Sequence, residues 1–183
     1  MRVLKWIVIV VLILLGLGVI GFQIMKHNTK KHSPETTLKY EENGMNIEIV
    51  YSRPFKKDRE IFGGLVPYGE VWRTGANEAT TFKTETDLII DGQLLPKGKY
   101  TLWTIPKASS WEVIFNEGEY GWGVNFESKA ARDPARDVLK VKSQVQRNFK
   151  VMEQFTIDIQ NTPPIMMFQW DNVRVDVPLA KAD

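Results

Sequence analysis

The chain's 183 residues predict an all-β fold, an antiparallel β-sandwich or jelly-roll-like domain, preceded by one N-terminal transmembrane helix. Three observations carry that expectation. Residues 6–25 hold no charge; beyond residue 38, short alternating or apolar segments recur with turn signals between them; and no later stretch keeps a helical period over three turns.

The apolar run comes first. Fourteen of the twenty residues from Trp6 to Met25 are Val, Ile, Leu or Phe. A helix of that length is about 30 Å long, the thickness of a bilayer's hydrocarbon core. A cleaved signal peptide is the competing reading. Its apolar run is usually about 7–15 residues and ends in small residues, whereas this one closes on Phe22-Gln23-Ile24-Met25. An uncleaved anchor spanning 1–25 is therefore expected. Arg2 and Lys5 on one side nearly balance Lys26, Lys30 and Lys31 on the other, so charge alone does not orient it. A short charged amino terminus normally stays in the cytoplasm, and a cysteine-free body tolerates an oxidising compartment. The expected location is the cytoplasmic (inner) membrane, with the carboxyl-terminal domain periplasmic.

Residues 26–37 lack hydrophobic periodicity and read as a polar, solvated linker, with His27 and His32 exposed in it. The β domain is expected over 38–179, leaving 180–183 as a tail. Its first hairpin runs from Leu38–Tyr40 through Asn43-Gly44 to Asn46–Ser52, where Ile47, Ile49 and Tyr51 alternate with more polar neighbours. Further strands are expected at 81–84, 88–90, 99–105, 111–116, 138–145, 155–160, 166–170 and 173–177. Trp103, Trp111 and Trp170 fall on these strands and read as packing residues. The single helical candidate after the anchor is Glu127–Asp133, ended by Pro134.

Composition removes much chemistry. With no cysteine there is no disulfide, thiolate nucleophile or Cys-ligated metal. Both histidines precede the β domain, which excludes a Ser-His-Asp triad or imidazole-ligated metal within it. Residues 1–32 hold five basic and no acidic side chains, leaving 19 basic against 22 acidic elsewhere. The basic pI of 8.7 belongs to the anchor segment, and no nucleic-acid partner is expected. No cofactor and no metal are expected either: Gly63, Gly64 and Gly69 do not form a dinucleotide turn, and no phosphate-loop or calcium-loop spacing occurs.

The distinctive stretch is 51–80, thirty residues dense in Gly, Arg and aromatic side chains but poor in strand periodicity. Long ordered loops of this kind are often functional. Arg53, Arg59, Arg73, Asn77 and Glu78 could converge with Tyr68, Trp72 and Trp122 into a polar pocket with an aromatic wall. Guanidinium forks pair with carboxylates, and ring faces stack on sugars, so a small carbohydrate or carboxylate is the matching ligand. On the competing reading, Arg73 and Glu78 form an internal ion pair, Asn77 caps a turn and Trp72 is core. Glu70 and Glu78 are the candidates for paired-carboxylate hydrolysis, which requires them to face one cleft.

The run Ile61-Phe62-Gly63-Gly64-Leu65-Val66-Pro67-Tyr68-Gly69, followed by Val71-Trp72-Arg73-Thr74-Gly75-Ala76-Asn77-Glu78-Ala79-Thr80, resembles the signature of a bacterial family, domain of unknown function 2911. Leu95–Pro106, Trp111–Asn116 and Trp122-Gly123 follow in that family's order, so the resemblance covers about residues 45–179. Residues 117–137 fit least well and read as an insertion. The resemblance implies a mostly β, exported or membrane-anchored protein of Bacteroidetes-like bacteria, and it brings no activity, ligand or site residue. The function expected is a binding or interaction module of the cell envelope. The alternatives are a carboxylate-dependent hydrolase of a carbohydrate-like substrate, or a structural partner domain for an envelope protein.

Overall fold

The computed structural model describes residues 2–125 and 127–183. Helix α1 spans Arg2–His32. It is long and apolar enough to cross a membrane, as an anchor or as a signal sequence. It does not stop at Met25. The segment expected to be a linker continues the helix for two more turns, and the Thr29 hydroxyl bonds back to the Lys26 carbonyl at 2.9 Å. Pro34 ends it, because the ring of a proline disfavours helical backbone in the residue before it. Only Ser33 and Pro34 separate α1 from the first strand.

Nine strands follow: β1 (Glu35–Tyr40), β2 (Ile47–Ser52), β3 (Thr81–Thr84), β4 (Leu88–Ile90), β5 (Gln93–Leu95), β6 (Gly98–Pro106), β7 (Ser110–Asn116), β8 (Asp137–Asn161) and β9 (Pro164–Lys181). The domain is all-β, and every pairing between strands is antiparallel, in the order β1-β2-β3-β6-β7-β8-β9-β4-β5. The ladder folds over on itself because β8 and β9 are long enough to serve both halves. Residues 137–144 of β8 pair with β7, while its remainder pairs with β9, whose far end pairs with β4.

The inward faces close on one core. Ile47, Ile49 and Tyr51 of β2 meet Phe155, Ile157 and Ile159 of β8 there, although three strands lie between them in the ladder. The Tyr51 hydroxyl fixes the contact: it accepts from Ile157 N at 2.9 Å and donates to Ile157 O at 3.1 Å. Trp111 and Trp170 are buried in this core and Trp103 in a second, small cluster with Ala79 and Ile114, as their strand positions predict.

Glu127–Asp133 forms no helix. A single 3₁₀ turn, Pro134–Arg136, stands after it, with the Asp133 side chain accepting from Ala135 N. Proline opens a helix more readily than it ends one, since its missing N–H would be unpaired there anyway. Residues 127–130 instead fold around Asn125, whose side-chain oxygen accepts from the backbone of Glu127 and Lys129 at 3.0 Å each.

Candidate functional site

The long stretch after β2 is stapled to the sheet at Trp72. Its N–H and C=O exchange hydrogen bonds with Thr104 of β6 at 2.7 and 2.9 Å. Two buried threonines extend the staple, Thr80 Oγ1 donating to the Thr74 carbonyl at 2.8 Å and Thr74 Oγ1 to Thr104 Oγ1 at 3.2 Å. The Trp72 indole stacks on Trp170, with ring centres 6.0 Å apart and planes 16° from parallel, and donates to Gly75 O at 3.0 Å. The chain on either side of Trp72 is thereby held rigidly against the sheet.

A cleft of about 390 Å³ opens beside this staple, within the usual range for small-molecule sites. Its walls come from residues 65–76, from Val124, Ser128 and Ala130, and from the helix exit at His32 and Ser33; Trp170 contributes to the interior. Lys57, Arg59, Glu70 and Arg73 are its charged groups.

Of the residues predicted from sequence, the cleft brings together Arg59, Glu70, Trp72 and Arg73. Arg53 serves the fold: its Nε donates to Phe155 O at 3.0 Å and its Nη2 to Thr156 Oγ1 at 2.8 Å. Tyr68 is half exposed and covers Gly63, where a side chain would meet the ring at 2.8 Å. Asn77 adopts a left-handed conformation and reaches Ser33 O at 3.4 Å. Trp122 touches Phe22 of α1, 6.4 Å between ring centres, and its carbonyl accepts from Arg73.

Glu78 does not pair with Arg73. Its Oε1 lies 3.0 Å from Lys26 Nζ and 3.6 Å from Lys30 Nζ, as ion pairs without aligned hydrogen bonds. Burial pushes the Glu78 carboxyl up, but the two ammonium groups and its own backbone N–H together outweigh it and hold the group below the usual carboxylate range. Glu70 lines the cleft and Glu78 does not, so the two carboxylates expected to face one cleft are not assembled there.

Arg73 is left in an unusual position. It is half buried, and among the described residues the only hydrogen bond of its guanidinium is from Nη1 to Trp122 O at 3.3 Å, with no carboxylate within ion-pair reach. Burial lowers its pKa, and the more distant Glu78 charge restores part of it. Trp170, which also lines the cleft, is 1 % exposed, and among the described residues its indole N–H has no acceptor. Buried donors are nearly always paired, and an orphan at a cleft is a place where a ligand atom fits. Among the described residues no three His, Asp or Glu side chains converge as a metal site would require.

Lys57, Val124, Ser128, Ala130, Trp170 and His32 were not legible as site residues. His32, expected to be solvated on a flexible linker, is exposed at the rim because α1 carries it there. The loop fitting the family pattern least well supplies one wall.

Gly123 holds the Arg73 stem in place. It has φ +74°, and a Cβ there would stand 2.9 Å from Arg73 Cδ and 3.1 Å from Ala79 N. Gly123→Ala should therefore cost about 1–3 kcal/mol of stability through left-handed strain and crowding, read by urea denaturation. An unchanged midpoint would mean that this turn relaxes freely.

Residues 33–179 match the model of a family described as "Protein of unknown function (DUF2911)". No curated protein and no solved structure matches the chain. The family match runs from the helix exit into β9, covers most of the chain and includes every residue lining the cleft except His32, so the chain belongs to DUF2911.

Proposed function

We propose that this protein is a binding module of the cell envelope, held by an uncleaved α1 in the cytoplasmic membrane with its β domain on the periplasmic side, and that the cleft takes a small carboxylate-bearing ligand such as an acidic sugar. Arg73 carries the reading. A half-buried guanidinium without a carboxylate loses hydration and gains little in return, and a planar anion restores both charge and hydrogen bonds. The unpaired N–H of Trp170, a residue that lines the cleft, supports it as a further donor. Arg59 and Lys57 add positive potential, and Glu70 is the one carboxylate among the lining residues, which favours binding over acid–base chemistry on a carboxylate pair.

A structural partner domain would need a broad apolar face. The exposed large apolar side chains described outside α1 are scattered: Leu65 and Tyr68, Leu94, Val138, and Phe149 with Val151.

Calorimetric titration of the detergent-solubilised full chain with glucuronate, using glucose as the neutral counterpart, tests the reading. Glucuronate should bind and glucose should not, and Arg73→Met should abolish binding while leaving the melting temperature nearly unchanged. A variant that melts early, with an affinity unchanged where it remains folded, would make Arg73 a structural residue and end the proposal.

A further inference from the structure

The contact between Phe22 and Trp122 fixes a height. Phe22 lies inside the apolar run, three residues or about 4.5 Å along the helix from its last member, Met25. Lys26 and Lys30 follow on the same helix and meet Glu78 of the β domain. If α1 spans a bilayer, Met25 marks the end of the hydrocarbon and the lysines stand among the headgroups. Trp122, packed beside Phe22, then sits just below the headgroups, in the layer where tryptophan is enriched because its ring is apolar and its N–H needs a polar partner. Gly121 on its amino-terminal side is exposed.

We propose that the loop at Trp122 is a second membrane contact, inserted at the base of the headgroup layer of the same bilayer that holds α1. It seats the β domain on that surface. The proposal rests on α1 being retained as an anchor, and it goes beyond the ligand reading by committing the domain to one orientation. The cleft shares Val124 with this loop and His32 and Ser33 with the helix exit. It therefore extends from the lipid headgroups at Val124 to just outside them at His32, and whatever enters it does so at the membrane surface.

The chain has no cysteine, so a single one can be placed and labelled without background. Gly121 suits this, because a Cβ there meets nothing within 4 Å. Full-length Gly121→Cys is labelled with an environment-sensitive fluorophore and reconstituted in phosphatidylcholine–phosphatidylglycerol vesicles. Glu42→Cys, in the exposed turn between β1 and β2, is the control. The label at 121 should emit to the blue of the control. Lipids spin-labelled near the headgroup should quench it at least about twofold more strongly, as expected for a group about 5–10 Å into the interface. Adding Trp122→Gln should return it to the emission of the control.

Two results overturn the proposal and are distinguishable. If the protein resists alkaline extraction but the label at 121 behaves as in water, the anchor stands and the seating is wrong. If alkaline extraction releases the protein from the vesicles, the anchor reading fails and takes the seating with it.

Discussion

Asp137→Ala is expected to destabilise the domain by about 3–5 kcal/mol, the range for removing one member of a buried ion pair. Asp137 opens β8 next to an irregularity in its pairing with β7, and its side chain and that of Arg132 are 5 % and 8 % exposed. The carboxylate pairs with Arg132, accepts from Asn116 Nδ2 at 2.8 Å, and lies 2.8 Å from Lys140 Nζ. Removing it strands the Arg132 charge away from water, and the Arg132 Nε already lacks a partner. Asn116, fully buried, also donates to Asp133 O at 2.8 Å, so the loss would loosen the 3₁₀ turn before β8. Urea denaturation at neutral pH measures the effect, and a loss under about 1 kcal/mol would show that the pair is solvated and weak.

The same carboxylate predicts a pH dependence. Burial pushes the Asp137 carboxyl up, but hydrogen bonds from Arg132, Lys140 and Asn116 outweigh it and hold the group below its ordinary value. A folded-state pKa below the unfolded one means that the unfolded chain binds the proton more readily. The stabilisation is thus complete above the unfolded value, near 3.9, and fades as pH falls through the folded value. Glu78 acts in the same direction, more weakly, because its partners on α1 are partly exposed. Asp137→Asn should flatten the acid limb of a stability-against-pH curve relative to the unmodified chain.

Trp170→Ala should cost a similar amount, about 3–5 kcal/mol for truncating a large aromatic in a packed interior. Its ring lies 6.0 Å from Trp72, 5.9 Å from Phe155 and 6.1 Å from Phe62, which in turn meets Trp111 at 4.9 Å. One truncation therefore opens a cavity beneath the staple that positions Arg73. Trp170→Phe separates packing from polarity. It keeps most of the apolar contact and removes an N–H that has no acceptor, so it should cost much less than alanine while weakening glucuronate binding. Equal losses for phenylalanine and alanine would mean that the indole N–H has a partner in the folded protein.

What the sequence made legible follows the range over which each signal acts. β2 could be read because Ile47, Ile49 and Tyr51 are buried while Glu48 and Val50 are only partly so, an alternation contained within one strand. β5 was missed, since three residues directly after the Asp91-Gly92 turn are too few to show any period. β8 was read as two strands because its register breaks between Arg147 and Thr156, where bulges erase the alternation. The two extra turns of α1 carry no apolar stripe; the ties at this end are polar, Lys26 and Lys30 meeting Glu78 and Lys30 meeting Glu35.

The site divides the same way. Trp72, Arg73, Glu70 and Arg59 share one irregular segment whose composition marks it, so their grouping was visible. Val124, Ser128 and Trp170 join them from about 50 to 100 positions further along, and no local pattern announces such a meeting. Pairing Arg73 with Glu78 assumed that near neighbours in sequence pair in space. The chain instead brings Glu78 to lysines some fifty residues upstream.

The two-residue joint of Ser33 and Pro34 leaves the β domain almost no leash. A long flexible tether would let a receptor sample a hemisphere of solvent, and its capture rate would follow bulk concentration. A stubby post gives up that reach. With α1 retained in a bilayer, as proposed, its encounters would be confined to a thin slab, where molecules embedded in or adsorbed to the same sheet of lipid are met by lateral diffusion and at far higher local density.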